Sequence, residues 1–183
     1  MEEQQLKVRG ISLPTAMASR FVLLLAMAVG VTLRVAYFAT GRSLWFDEAC
    51  LALNIRDRSF LDLFQVLDNN QAAPIGFLLV EKLIGAVFSY SDYSLRLFPL
   101  LMSILSLYLV WRLGKRMLGE SFAAIVLGFF AIAPILIRYS TEVKQYTGDV
   151  TISAAILLLA IEGLNGKWPV KKRVLFAVVG ACL

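Results

Sequence analysis

Long apolar runs alternate with short polar stretches along this chain. The first run, Phe21 to Ala39, is interrupted by one charge, Arg34. At ~1.5 Å per residue a helix of that length crosses the ~30 Å hydrocarbon core of a bilayer. Leu97 to Leu113, Ser121 to Ile137 and Thr147 to Leu164 repeat the pattern and predict three more spans. Val174 to Leu183 opens another apolar segment, but its ten residues are too few to cross. Residues 1–19 are polar and of mixed charge, and no small-residue cleavage site follows the first run. That run also exceeds the ~7–15 residues of a signal h-region, so the pattern predicts a retained anchor rather than a cleaved signal.

Between the first and second spans the pattern changes. From Asp47 to Asn70 it is amphipathic, and Ser59 with Asp62 three residues on reads as a helix start. Phe60, Leu61, Phe64 and Leu67 then form one apolar stripe, with Asp57, Asp62 and Asp68 around the remainder. This predicts a helix lying on the membrane plane; the competing reading is a loop helix packed on the protein. Asp68-Asn69-Asn70-Gln71 is a polar break, and Pro74 suits the first turn of the next helix. Ile75 to Tyr90 is apolar but carries Glu81-Lys82, and it reads as a second interfacial or re-entrant helix, with a true span as the competitor. The predicted fold is therefore all-α, a polytopic transmembrane bundle in one domain over 1–183, with amphipathic juxtamembrane helices in an outer loop 41–96.

Composition agrees with a membrane class: the chain is 59% hydrophobic with mean hydropathy +0.74. Its +5 net charge does not signal nucleic acid, because the basic residues cluster beside the apolar runs. With the N-terminus in the cytoplasm and 75–90 not spanning, ten basic residues fall inside: Lys7, Arg9, Arg20, the 112–116 cluster and the 167–173 cluster. Six fall outside, Arg42, Arg56, Arg58, Lys82, Arg138 and Lys144, with Arg96 near the interface. A crossing by 75–90 would send both dense clusters outside, against the positive-inside rule. The chain has no histidine, which excludes a His-based triad or His-ligated metal within these residues. Cys50 and Cys182 read as two separate thiols rather than a disulfide.

This threading brings two acidic regions to one face. Trp45-Phe46-Asp47-Glu48 follows the first span, and two carboxylates at a membrane interface are costly unless used or paired. The turn 138–149 carries Arg138, Tyr139, Glu142, Lys144, Gln145, Tyr146 and Asp149. If that turn is helical, Glu142, Gln145, Tyr146 and Asp149 share one side. Asp47 then reads as a general base toward an acceptor hydroxyl or amine. Arg138 and Lys144 could neutralise a phosphate leaving group, Glu142 and Asp149 could hold a divalent metal, and Trp45, Tyr139 and Tyr146 could stack on a sugar.

The ordered series of motifs resembles the GT-C class of membrane glycosyltransferases, which includes protein O-mannosyltransferases and the aminoarabinose transferases that modify lipid A. The likeness rests on Trp45-Phe46-Asp47-Glu48, Gln71-Ala72-Ala73-Pro74-Ile75-Gly76, Ser94-Leu95-Arg96-Leu97-Phe98-Pro99 and the Arg138 to Tyr146 turn. Many members have His-Pro-Pro or Lys-Pro where this chain has Gln71-Ala72-Ala73-Pro74. The resemblance implies transfer of a sugar from a polyprenyl-phosphate donor to a lipid, glycan or protein acceptor on the outer or lumenal side; the expected setting is a bacterial inner membrane with a periplasmic active face. It makes Asp47 the base or acceptor-orienting carboxylate, with Glu48 supporting it, Glu142 across the cleft, Arg138 or Lys144 at the donor phosphate, and Gln71, Tyr139, Gln145 and Tyr146 among the substrate contacts. Family members also have more spans and a further outer loop, so this chain is expected to be the N-terminal portion of a longer transferase. The alternative reading is a non-catalytic module that binds carrier lipid or a partner.

Overall fold

The structure, a computed structural model, describes residues 13–164 and Pro169. All regular elements among them are helical. They run α1 (Leu13–Ala39), α2 (Phe46–Asp57), a single 3-10 turn (Asp62–Phe64), α3 (Ile75–Phe88), α4 (Asp92–Leu95), α5 (Leu97–Leu118), α6 (Glu120–Ile132), α7 (Pro134–Tyr139) and α8 (Tyr146–Leu164). Among the described residues three stretches are long and apolar enough to cross a bilayer: Ala18–Ala39, Asp92–Leu118 and Tyr146–Gly163. This is an all-α polytopic membrane bundle. The predicted basic groups at 7, 9 and 167–173, the apolar segment from 174 and Cys182 lie outside the described residues, while Cys50 is a buried free thiol.

Ser121 to Ile137, read as one span, is two helices. Pro134 has no N–H for the carbonyl four residues back, and its ring clashes with the preceding turn. Helix α6 therefore stops at Ile132, Ala133 turns extended (ψ 116°), and α7 restarts with Pro134 in its first turn. Arg34, the lone charge of the first span, meets this break. Its side chain is fully buried and donates to Ala131 O at 3.1 Å, Phe130 O at 3.5 Å, Gly30 O at 3.0 Å and Ser103 Oγ at 2.7 Å. The guanidinium thus serves the carbonyls that the proline leaves open, and α1 is fastened to α5 and α6.

The rest of the bundle follows membrane packing rules. Helix α1 packs on α6 and α5, and α5 packs on α8. A Cβ at Gly30 would meet Ala131 Cβ and a Leu107 methyl at 3.0 Å, so glycine lets α1 approach here without the neighbours having to shift. Thr147 Oγ1 donates to Pro99 O at 3.0 Å and Thr151 Oγ1 to Met102 O at 2.7 Å, joining α8 to α5 through hydroxyls one turn apart.

Above the bundle, loop 41–96 and the turn after α7 share one apolar core: Leu51, Ile55, Leu63, Leu67, Phe77, Leu78, Leu95 and Val143. The surface helix lies at 46–57, upstream of the predicted one. Ser59 and Asp62 do cap each other, with Asp62 N donating to Ser59 Oγ at 3.2 Å and Ser59 N to Asp62 Oδ2 at 3.3 Å, but they close only one turn. Asn54 holds the backbone of Asp68 in both directions, at 2.8 and 3.2 Å, and Asn69 and Asn70 adopt positive φ, so the chain must bend there. Leu63 and Leu67 are buried while Phe60, Leu61 and Phe64 are exposed, which splits the predicted stripe. Helix α3 has 14 residues, about 21 Å of rise, short of a crossing.

Candidate active site

Helix α2 begins on the acidic pair, which places Asp47 and Glu48 in its first turn where the helix dipole favours negative charge. Neighbouring residues on a helix point about 100° apart, and the two carboxylates accordingly take different environments. Glu48 is fully buried. It accepts the backbone N–H of Val143 at 2.8 Å and that of Trp45 at 3.2 Å, and pairs with Arg96 at 3.6 Å. One carboxylate therefore caps its own helix and locks the second outer turn onto the first loop.

Asp47 stands at the rim, its side chain 45% exposed. Lys144 Nζ approaches it at 2.7 Å and Gln71 Nε2 donates to it at 2.9 Å, while Lys144 also donates to Gln71 Oε1 at 2.9 Å. The three side chains close a triangle drawn from α2, the loop before α3 and the turn before α8. Hydrogen bonds from Lys144 and then Gln71 hold the Asp47 carboxyl below the usual carboxylate range. It is ionised at neutral pH, with its lone pairs aimed at donors.

Glu142 is buried on the same side. Arg138 Nε donates to it at 2.8 Å and Arg42 pairs with it at 3.9 Å, while the Arg138 guanidinium lies 5.8 Å from the Trp45 ring centre. The rings of Tyr139 and Tyr146 sit 4.5 Å apart. The expected helical side joining Glu142 to Gln145, Tyr146 and Asp149 does not form: residues 140–145 are irregular, and α8 starts only at Tyr146. Lys144, expected free for a phosphate, is held by Asp47 and Gln71.

Two arginines given no site role by the sequence also border the candidate site, Arg42 counted there as a topological charge and Arg96 as part of the Ser94–Pro99 motif. Arg96 is 2% exposed and donates from Nη1 to the carbonyl of Arg42. Nε and Nη2 of both Arg42 and Arg96 are buried without a hydrogen-bond partner. Their carboxylate neighbours stand at 3.6 and 3.9 Å, beyond hydrogen-bonding reach. The Ser94–Pro99 motif was the available signal for Arg96; Arg42 offered none beyond its place after the first span. Around the site four cations face three paired carboxylates, an imbalance suited to an anionic ligand. Among the described residues no three His, Cys, Asp or Glu side chains gather to hold a metal, and Glu142 is engaged by arginines, so no step below runs through a metal.

A family model described as dolichyl-phosphate-mannose-protein mannosyltransferase matches residues 72–182. No curated protein and no solved structure matches the chain.

Proposed function

This chain belongs to the dolichyl-phosphate-mannose-protein mannosyltransferase family, and on that premise we propose that it moves a sugar from a polyprenyl-phosphate carrier to an acceptor at the extracytoplasmic surface of a bacterial inner membrane. The observation that carries this reading is the half-exposed Asp47 carboxylate, fixed by Lys144 and Gln71 where the two outer loops meet. An acceptor oxygen or nitrogen attacks the anomeric carbon, its proton passes to Asp47, and the bond from that carbon to the phosphate oxygen breaks. The leaving group departs as the polyprenyl phosphate, with Arg42, Arg96 and Arg138 supplying countercharge. One displacement with one base inverts the anomeric centre. Asp47 is a weak base in its resting triangle, so it takes the proton late, as the acceptor oxygen becomes acidic in the transition state. Glu48 positions the loops and touches neither substrate.

The test is sugar transfer from a polyprenyl-phosphate donor by the full-length protein in membranes. Asp47→Asn should lower turnover by about 100-fold or more while donor binding persists. Unchanged turnover would remove Asp47 from the reaction. Orientation has its own check. A cysteine placed at the exposed Gln65 should react from outside with an impermeant thiol reagent and one at the exposed Lys115 should not, and the reverse pattern refutes the threading.

A further inference from the structure

A cavity of about 620 Å³ opens between α3, α5 and α8, within the size range of small-molecule sites. Its walls are apolar, from Phe77 and Val80 of α3, Phe98 of α5, and Ile152 and Ile156 of α8. Gln145 and Asp149, one turn apart on the chain, form a polar end, and Ser153 adds one hydroxyl farther along α8. Gln145 Oε1 is buried at that end without a hydrogen-bond partner. Lys144 precedes Gln145, and Gln71 lies three residues before the lining residue Pro74, so this end abuts the residues that hold Asp47. From Tyr146, Ile152 and Ile156 are six and ten residues along the span, about 9 and 15 Å of depth. The groove therefore runs from the site into the bilayer.

Its chemistry is selective. The polar end carries the Asp149 carboxylate, the Gln145 amide and no cation: none of Arg42, Arg96, Arg138 or Lys144 lines it. A phosphate placed there would meet the Asp149 carboxylate with no cation to offset the repulsion. A head group that donates hydrogen bonds, a hydroxyl or an ammonium, suits both the carboxylate and the Gln145 carbonyl oxygen. We propose that this groove holds the acceptor, and that the acceptor is a membrane amphiphile: an apolar chain lies along α8 and its hydroxyl or amino head reaches Gln145 and Asp149 next to Asp47. The donor phosphate then occupies the arginine side, and the two substrates approach the base from different directions. This inference rests on the transferase reading and specifies its acceptor class.

The experiment uses full-length protein in nanodiscs and a diazirine-bearing long-chain alcohol as probe. Photolabelling should be saturable and map to 74–80 and 145–156. Ile152 is 40% exposed, so Ile152→Trp fills the groove without entering the core. It should weaken labelling by about tenfold, a shift of ~1.4 kcal/mol, while polyprenyl-phosphate binding, measured separately, is retained. Asp149→Ala, which removes an acceptor without adding bulk, should weaken the alcohol and strengthen a matched long-chain alkyl phosphate. Displacement of the alcohol by polyprenyl phosphate would overturn the proposal in favour of the donor tail. Absence of saturable labelling would overturn it in favour of chain beyond residue 164 filling the groove. Loss of all donor binding in the wild type, with labelling intact, would instead sink the transferase reading.

Discussion

Replacing Arg34 with methionine tests whether the lone charge in the first span exists to repair the break at Pro134. The guanidinium makes four hydrogen bonds, to Ser103 Oγ and to the carbonyls of Gly30, Phe130 and Ala131. The Gly30 carbonyl lies in the middle of α1, where the helix also supplies a donor. Those of Phe130 and Ala131 lie where the i→i−4 ladder of α6 ends. Each buried acceptor left without a donor costs about 1–3 kcal/mol, so the two together cost about 2–6 kcal/mol. Methionine returns the desolvation of a buried cation, which places the net loss in the lower half, about 2–3 kcal/mol. Unfolding in mixed detergent micelles, followed by tryptophan fluorescence, measures it. Pro134→Ala gives the decisive control, because it restores an N–H and permits α6 to run on. In that background Arg34→Met should cost at least ~1 kcal/mol less than in the wild type. Strict additivity, or a loss under ~0.5 kcal/mol for the single variant, would refute the repair role.

Asp47 is held below the ordinary range by Lys144 and Gln71, so the stability its ionised form contributes is present above the unfolded value of about 3.9 and is lost only as pH falls through the lower folded value. The acid limb of donor turnover should therefore lie below ~4 and move up in Lys144→Gln; a limb near 5 in the wild type refutes the pairing. Glu48→Gln should destabilise the fold by about 3–5 kcal/mol, because Arg96 loses its buried partner, and amide exchange at Val143 should accelerate; unchanged protection would show that Glu48 does not lock the turn. Glu81 is buried with both oxygens unpartnered, and burial pushes its carboxyl up to about 9. Between ~4.3 and 9 the folded chain holds a proton that the unfolded chain releases, so the stability of the wild type falls as pH rises. Glu81→Gln should stabilise more at pH 8 than at pH 5, and an equal gain at both values refutes the protonated assignment.

The spans were legible because an apolar helix of 18 or more residues with few charges has few other stable homes. What the apolar run hid was its interruption: Ala133 and Pro134 keep hydropathy high while ending α6, so a hydropathy reading of 121–137 passes over a backbone effect. The surface helix went astray for a related reason. The Ser59–Asp62 cap is real, but a cap starts a helix without sustaining one, and Asn54 and the Asn69-Asn70 bend decide the rest. At the candidate site, the motifs named the two loops that the structure brings together, with Asp47, Gln71 and Lys144 in one cluster. They did not reveal the partners: Gln71 and Lys144 meet each other across 73 residues, a distance set by how the spans stack. Arg42 gave no sign, because a lone arginine near an interface does not reveal that its nitrogens will be enclosed, and Arg96 was marked only by the Ser94–Pro99 motif around it.

Glu48 and Val143 are 95 residues apart, and that separation makes synthesis itself part of the design. A ribosome adding ~5–20 residues per second brings Val143 into being about 5–20 s after Glu48. Throughout that interval the carboxylate has no turn to hold, and burying it early would strand a charge. Water at the membrane surface is where such a group can wait, which suits a short helix parked at the interface. The candidate site thus comes into existence late, once the chain has passed α5 and α6 and reached α8, and a nascent chain halted before that point carries Asp47 with no Lys144 to pair with it.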